Sequence, residues 1–218
     1  GGTDVVTLTN SNLVLKGTTP TLTIGDAGAE DTKIVFDGNA QDYHIGLDDS
    51  ADDLVIGLGS SLGTTAHIVI DETGAVTKPL QPSFLVSPSS TLSNVTGDNT
   101  NYDVVFATEV IDRNADFSSA TFTAPVTGIY AFHAILEIEG VTDSMTQCVA
   151  FFNASNRSFY IKNDDGGNYH TSGGLYVNCS AVIDMDANDT VTLQLDFRNG
   201  SKVVDVGSGS YWGGYLVA

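Results

Sequence analysis

Positive charge is scarce in this chain. Eight Lys and Arg stand against 27 Asp and Glu, a net charge of −19. Such a surface repels phosphate backbones and anionic lipid heads, which excludes nucleic acid and membrane surfaces as partners. The deficit is even, with 12 acids and 3 bases in residues 1–80 (−9) and 15 and 5 in residues 81–218 (−10), so neither half is a charged tail. Only two cysteines occur, Cys148 and Cys179. They cannot build a metal site alone and fit no C-x-x-C redox spacing, so a core or a partner chain must hold the fold; a buried thiol pair and a single disulfide remain equal alternatives. No apolar run approaches the roughly 20 residues of a spanning helix, and no charged-then-apolar leader opens the chain. An initiator Met is missing too, and the Gly1-Gly2 start reads as an internal cut or an expression scar, predicting the C-terminal piece of a longer protein. No stretch of a dozen residues carries a helical stripe with caps.

What is present is period-2 alternation nearly throughout, so the chain is predicted to be all-β. Apolar residues make up 41% and charged residues only 16%, leaving Thr, Ser, Asn and 23 glycines to supply polarity, a β-rich balance and not that of a disordered chain. Prolines flank residues 79–82 (Pro79-Leu80-Gln81-Pro82), which interrupts any strand ladder and predicts a linker between a module at 1–78 and a module at 83–218. The first carries short β runs at Thr21–Ile24, Lys33–Phe36, Tyr43–Leu47, Leu54–Leu58 and His67–Ile70, each stopping in a turn signal such as Asp37-Gly38-Asn39. Strands this short bury little apiece, so the module reads as a stem whose apolar face needs a second layer or a neighbouring chain. The second has longer, aromatic runs, among them Gly128–Leu136, Gln147–Asn153, Leu175–Met185, Thr190–Phe197 and Tyr211–Val217. At least eight strands there suit a two-sheet jelly roll.

Candidate chemistry is sparse. Gly59-Ser60-Ser61-Leu62-Gly63 matches the G-x-S-x-G nucleophile elbow, but Thr65-Ala66-His67-Ile68-Val69-Ile70 continues as strand where the elbow needs a helix, so Ser61 reads as a turn residue. Asp184-Met185-Asp186-Ala187-Asn188 opens like a calcium loop, yet Asp189 stands where that loop needs Gly and Leu195 where it needs Glu. Asp48, Asp49, Asp52 and Asp53 form the acidic cluster best placed to offer oxygen ligands to Ca²⁺, with Asp164-Asp165 a second. His44, His67, His133 and His170 are scattered and read as structural. No catalytic constellation emerges, and the chain is read as not an enzyme. Six N-x-[ST] sequons occur, at Asn94, Asn153, Asn156, Asn178, Asn188 and Asn199; Asn178 falls in an expected core strand, where a glycan would be hard to place, which disfavours a eukaryotic secreted origin.

Phe122-Thr123-Ala124-Pro125-Val126-Thr127-Gly128-Ile129-Tyr130-Ala131-Phe132 resembles the F-x-x-P-x-x-G-x-Y-x-F signature of the globular heads of complement C1q and their jelly-roll relatives in the tumour-necrosis-factor superfamily. Tyr102–Phe106 precedes it at the right distance, Met185–Val191 resembles the acidic turn of that family, and Ser210–Val217 resembles its closing strand. The resemblance covers residues 82–218 and implies a C1q/TNF-like β-sandwich, homotrimeric, used for binding and not catalysis. No collagen-like G-x-y run precedes it; instead Thr19–Asp26 and Asp31–Asn39 resemble repeats of marine bacteriophage tail-fibre proteins.

Together these imply a trimeric receptor-binding tip of a phage tail fibre, extracellular on the virion, adhering to a bacterial polysaccharide or outer-membrane protein. The alternatives are a tail-spike depolymerase acting on host polysaccharide and a secreted C1q-like lectin. Ligand-binding candidates, by exposure and polarity, are Asp164, Asp165, Asn168, Tyr169 and His170, with the Ser93–Asn101 loop beside them. Trimer-interface candidates are Tyr211, Tyr215 and Trp212. Alternation puts Tyr211 and Tyr215 on one face of the closing strand and Trp212 on the other, one facing the core and one facing neighbours or solvent.

Overall fold

The computed structural model describes residues 13–165 and 175–218, and the chain divides into two compact units between Pro79 and Leu80. Every described strand pairing is antiparallel.

The first unit is a single five-stranded meander in sequence order: β1 (Thr32–Phe36), β2 (Tyr43–Asp48), β3 (Asp53–Leu58), β4 (Ala66–Ile70) and β5 (Val76–Thr77). Thr21–Ile24, expected as a strand, is irregular and exposed; it alternates but has no strand to pair with, and β1 forms the edge instead. Residues 59–65 cover one face: His44 Nδ1 lies 2.9 Å from Gly59 O, and a Cβ on Gly46 would meet Leu62 Cδ1 at 2.8 Å. Register aligns the other face into three rows. Ile34, Ile45, Ile56 and Ile68 stand side by side across four strands. Phe36, Tyr43 and Leu58 form the row on one side. Leu47, Leu54, Ile70 and Val76 form the row on the other, with Thr32 at its end.

The second unit is a two-layer sandwich. Its strands are β6 (Ser83–Ser87), β7 (Leu92–Thr96), β8 (Tyr102–Asp103), β9 (Thr108–Asp112), β10 (Phe117–Ser118), β11 (Thr121–Thr123), β12 (Gly128–Glu139), β13 (Gln147–Ala154), β14 (Arg157–Asp165), β15 (Leu175–Met185), β16 (Thr190–Arg198), β17 (Val204–Val206) and β18 (Tyr211–Leu216). One sheet runs β10-β11-β16-β13-β14, with β8 also on β16; the other runs β7-β17-β12-β18-β6-β9, with β15 along the far edge of β12. Alternation decides the burial. On β12, Tyr130, Phe132, Ala134, Leu136 and Ile138 are buried while Ile129 and His133 face out.

The expected signature is a structural corner. Phe122 packs on Tyr130 and Phe132 with ring centroids 5.4 and 5.5 Å apart, and the Tyr130 hydroxyl donates to Val126 O at 2.7 Å. Gly128 is required by close approach: a Cβ there would meet Ala218 O at 2.7 Å, where the chain end closes on Ile129 N–H.

Trp212 was expected beside Tyr211 and Tyr215 as a trimer contact. It is instead fully enclosed in the core of its own chain, edge-on to Phe84 and Phe117 at 5.1 and 5.3 Å, so it has no surface to offer a neighbour. Asn178, expected in the core, is exposed, because alternation along β15 turns Val177, Cys179, Ile183 and Met185 inward and Asn178 outward. Cys148 and Cys179 are both buried thiols.

Candidate binding and assembly surface

The outward face of the seven-stranded sheet is where exposed aromatic side chains collect. Register sets them in rows across β15, β12 and β18. Val182, Ala131 and Tyr215 form one row; Ser180, His133 and Gly213 form the next; Asn178, Ile135 and Tyr211 form a third. Over Ala131, a small residue of this array, lies a shallow depression of about 390 Å³ walled by His133, Ser180, Val182 and Tyr215. The His133 ring meets Tyr211 edge-on at 6.4 Å, and it lies over Gly213, where a Cβ would come within 3.1 Å of it. Val182 is 66% and Tyr215 50% exposed, a large apolar share for strand residues beside a closed core. Sequence reading named Tyr211 and Tyr215 but missed Val182, Ser180 and His133. The alternation of β15 was the available signal; its register against β12 was not.

Next along β12 the Glu137 carboxylate is held among glycines. It accepts from Gly209 N–H at 3.0 Å and from the Tyr176 hydroxyl at 3.2 Å, and a Cβ on Gly207 would meet it at 2.4 Å. The neighbouring Glu137 charge raises the Tyr176 phenol above its ordinary value. Through these bonds Glu137 holds the β17–β18 turn.

The acidic turn between β15 and β16 is likewise self-satisfied. Asp189 accepts from Ser155 Oγ at 2.7 Å and from Asp186 N–H at 3.0 Å, and Asp184 pairs with Arg157. The Ser155 hydrogen bond lowers Asp189, and the Arg157 hydrogen bond lowers Asp184, below the usual carboxylate range. On the other sheet, buried Asp196 pairs with Arg198, which also donates to Gln147 Oε1 at 3.3 Å.

The expected calcium cluster does not converge. Asp48 Oδ1 accepts from Ser50 N–H and Oγ at 3.1 and 2.7 Å, Asp48 pairs across the hairpin with Asp53, and Asp52 takes a left-handed φ of 57° at the tip. The Asp48 carboxylate is spent on turn geometry, and among the described residues no group of three His, Cys, Asp or Glu is placed to hold a metal. Ser61 sits in the irregular segment between β3 and β4, with no helix behind it. Of the ligand-binding candidates, Asp164 and Asp165 end β14 in backbone register with Cys148 and Gln147, while Asn168, Tyr169 and His170 lie outside the described residues.

The family model described as C1q domain matches residues 84–217. Among solved structures, the chain is similar to the globular domain of zebrafish complement 1qA protein at 22% identity, covering 63% of this chain and 98% of that one with a TM-score of 0.43. It is similar to murine APRIL at 15% identity, covering 63% and 99% with a TM-score of 0.44, and to rabbit GITRL at 15% identity, covering 47% and 75% with a TM-score of 0.34. No curated protein matches the chain.

Proposed function

Because this chain belongs to the C1q domain family through residues 84–217, we propose that it is a non-catalytic, homotrimeric binding head, the receptor-contacting tip of a bacteriophage tail fibre. One observation carries the assembly: the exposed Val182, Tyr215 and His133, with the half-buried Tyr211 beside them, on the outward face of the seven-stranded sheet over a core that is already closed. Tyr211 and Tyr215 meet neighbouring subunits there, and loops at the sandwich ends are left to contact a polysaccharide or outer-membrane protein on the bacterial surface. The fibre reading is supported by the repeat-like pattern of Thr19–Asp26 and Asp31–Asn39, which takes the place of a collagen-like stalk. It puts the protein outside the cell, on the virion.

Fluorescently labelled chain incubated with intact bacteria and with fractionated envelope tests this. Saturable binding, competed by one envelope fraction and without release of reducing ends, is expected. Steady release of reducing ends abolished by a single carboxylate substitution would establish a depolymerase instead. A secreted C1q-like lectin is the second reading, favoured by the exposure of Asn178, Asn156 and Asn94 in their sequons. Glycans found on these by mass spectrometry of source material would decide for it. A glycan on Asn178 would stand in the same row as Tyr211 and obstruct the proposed assembly face.

A further inference from the structure

The five-stranded unit has the opposite defect from the sandwich: it is well paired but hardly buried. Val55 is the sole apolar side chain of β1–β5 that is buried among the described residues. Residues 59–65 cover the His44 face, whereas the three apolar rows on the other side are only bordered by Ile24 and stay partly exposed, with Ile34 and Leu54 each 41% exposed. No charged side chain interrupts these rows. The acids lie at the rims instead, Asp37 and Asp42 at one end of the strands and Asp48, Asp49, Asp52 and Asp53 at the other.

We infer that this open face is an interface between copies of this chain, packing against the same face of its neighbours. Three features select a second copy as the occupant. Ile34, Phe36, Tyr43, Leu47, Leu54 and Val76 are 41–62% exposed on this face, on the order of 600 Å² together and most of the roughly 800 Å² per partner of a stable interface. An occupant must itself be apolar and uncharged over that area, and this face is such a surface. A single-layer sheet with one buried apolar side chain also cannot wait uncovered for an occasional partner; a copy is present whenever the chain is made. The rim acids make one further demand. Copies repel through them, so salt strengthens this contact, whereas it would weaken a contact with a basic partner.

The test uses the full chain with Ile34→Cys, Leu54→Cys or, on the covered side of the sheet, Lys33→Cys. At micromolar concentration, Ile34→Cys and Leu54→Cys are expected to react with maleimide about tenfold more slowly than Lys33→Cys. A short bis-maleimide should join two chains through them, with higher yield as salt is raised. Adding Leu54→Asp to Ile34→Cys should restore fast labelling and abolish the cross-link. Labelling as fast as at Lys33→Cys would mean the face is open; slow labelling without any cross-linked product would mean something other than a copy covers it. Either result overturns the inference. The Leu54→Asp variant separates this contact from the trimeric head: fast labelling with an unchanged molar mass breaks the β1–β5 contact alone, since a head-tethered chain keeps its neighbours close whether or not this face is covered.

Discussion

Replacing Trp212 by alanine should destabilise the sandwich without acting through any neighbour. The indole is fully enclosed and has Phe84, Phe117, Phe106, Phe152 and Phe132 around it, all with ring centroids within 6.1 Å. Truncating such a side chain costs about 3–5 kcal/mol through lost burial and the cavity left behind. One effect offsets this: Nε1 has no hydrogen-bond partner, and an unsatisfied buried donor carries a penalty of about 1–3 kcal/mol that the substitution removes. The expected net loss is therefore about 2 kcal/mol for Trp212→Ala. Trp212→Phe keeps most of the ring contacts and sheds the same N–H, so its loss should be about 1 kcal/mol. Urea denaturation followed by far-ultraviolet circular dichroism reads both, since the variants lack the chain's only Trp. A loss under about 1 kcal/mol for Trp212→Ala would refute the reasoning. So would a variant that stays folded and stable but dissociates, because that would return Trp212 to an interface.

Tyr211→Ala and Tyr215→Ala should leave the single chain folded but weaken assembly. A large aromatic buried per subunit contributes roughly 2–3 kcal/mol, more than tenfold in association, and unchanged trimers with unchanged melting would displace the interface from this face. Gly128→Ala forces a Cβ to 2.7 Å from Ala218 O, and a loss of about 1–3 kcal/mol is expected by thermal melting; a neutral substitution would mean the chain end is not held there. Burial pushes the Cys179 thiol from 9.0 up to about 12. The unfolded chain then loses this proton first, so its contribution to stability is intact below pH 9 and declines from there to about pH 12. Cys179→Ala should flatten that decline in urea midpoints, and an unaltered slope would assign it to other groups.

The signature in Phe122–Phe132 was legible because each of its residues serves the fold: two aromatic contacts, a hydroxyl cap on Val126 O and a glycine under the chain end. The long strands were legible for a similar reason, since alternation over eight or more residues leaves one consistent face. Some of the shortest or most exposed strands were not. β5 and β17 have two and three residues, and β9 is almost wholly exposed, so neither period nor burial marks them. Thr21–Ile24 shows the converse, a good local pattern with nothing to pair against. Alternation separated Trp212 from Tyr211 and Tyr215 but left open which side met the core, a question settled only by the aromatic cluster around the indole. The rows themselves, Val182 with Ala131 and Tyr215 or the four isoleucines of the first unit, depend on register between strands, which no single strand encodes.

The account rests most heavily on a binding head assembled as a trimer, and the molar mass of the intact chain in solution tests that directly. Light scattering on the size-separated protein at micromolar concentration should give a single species of three times the 22.8 kDa chain mass. A monodisperse species at 22.8 kDa would contradict it.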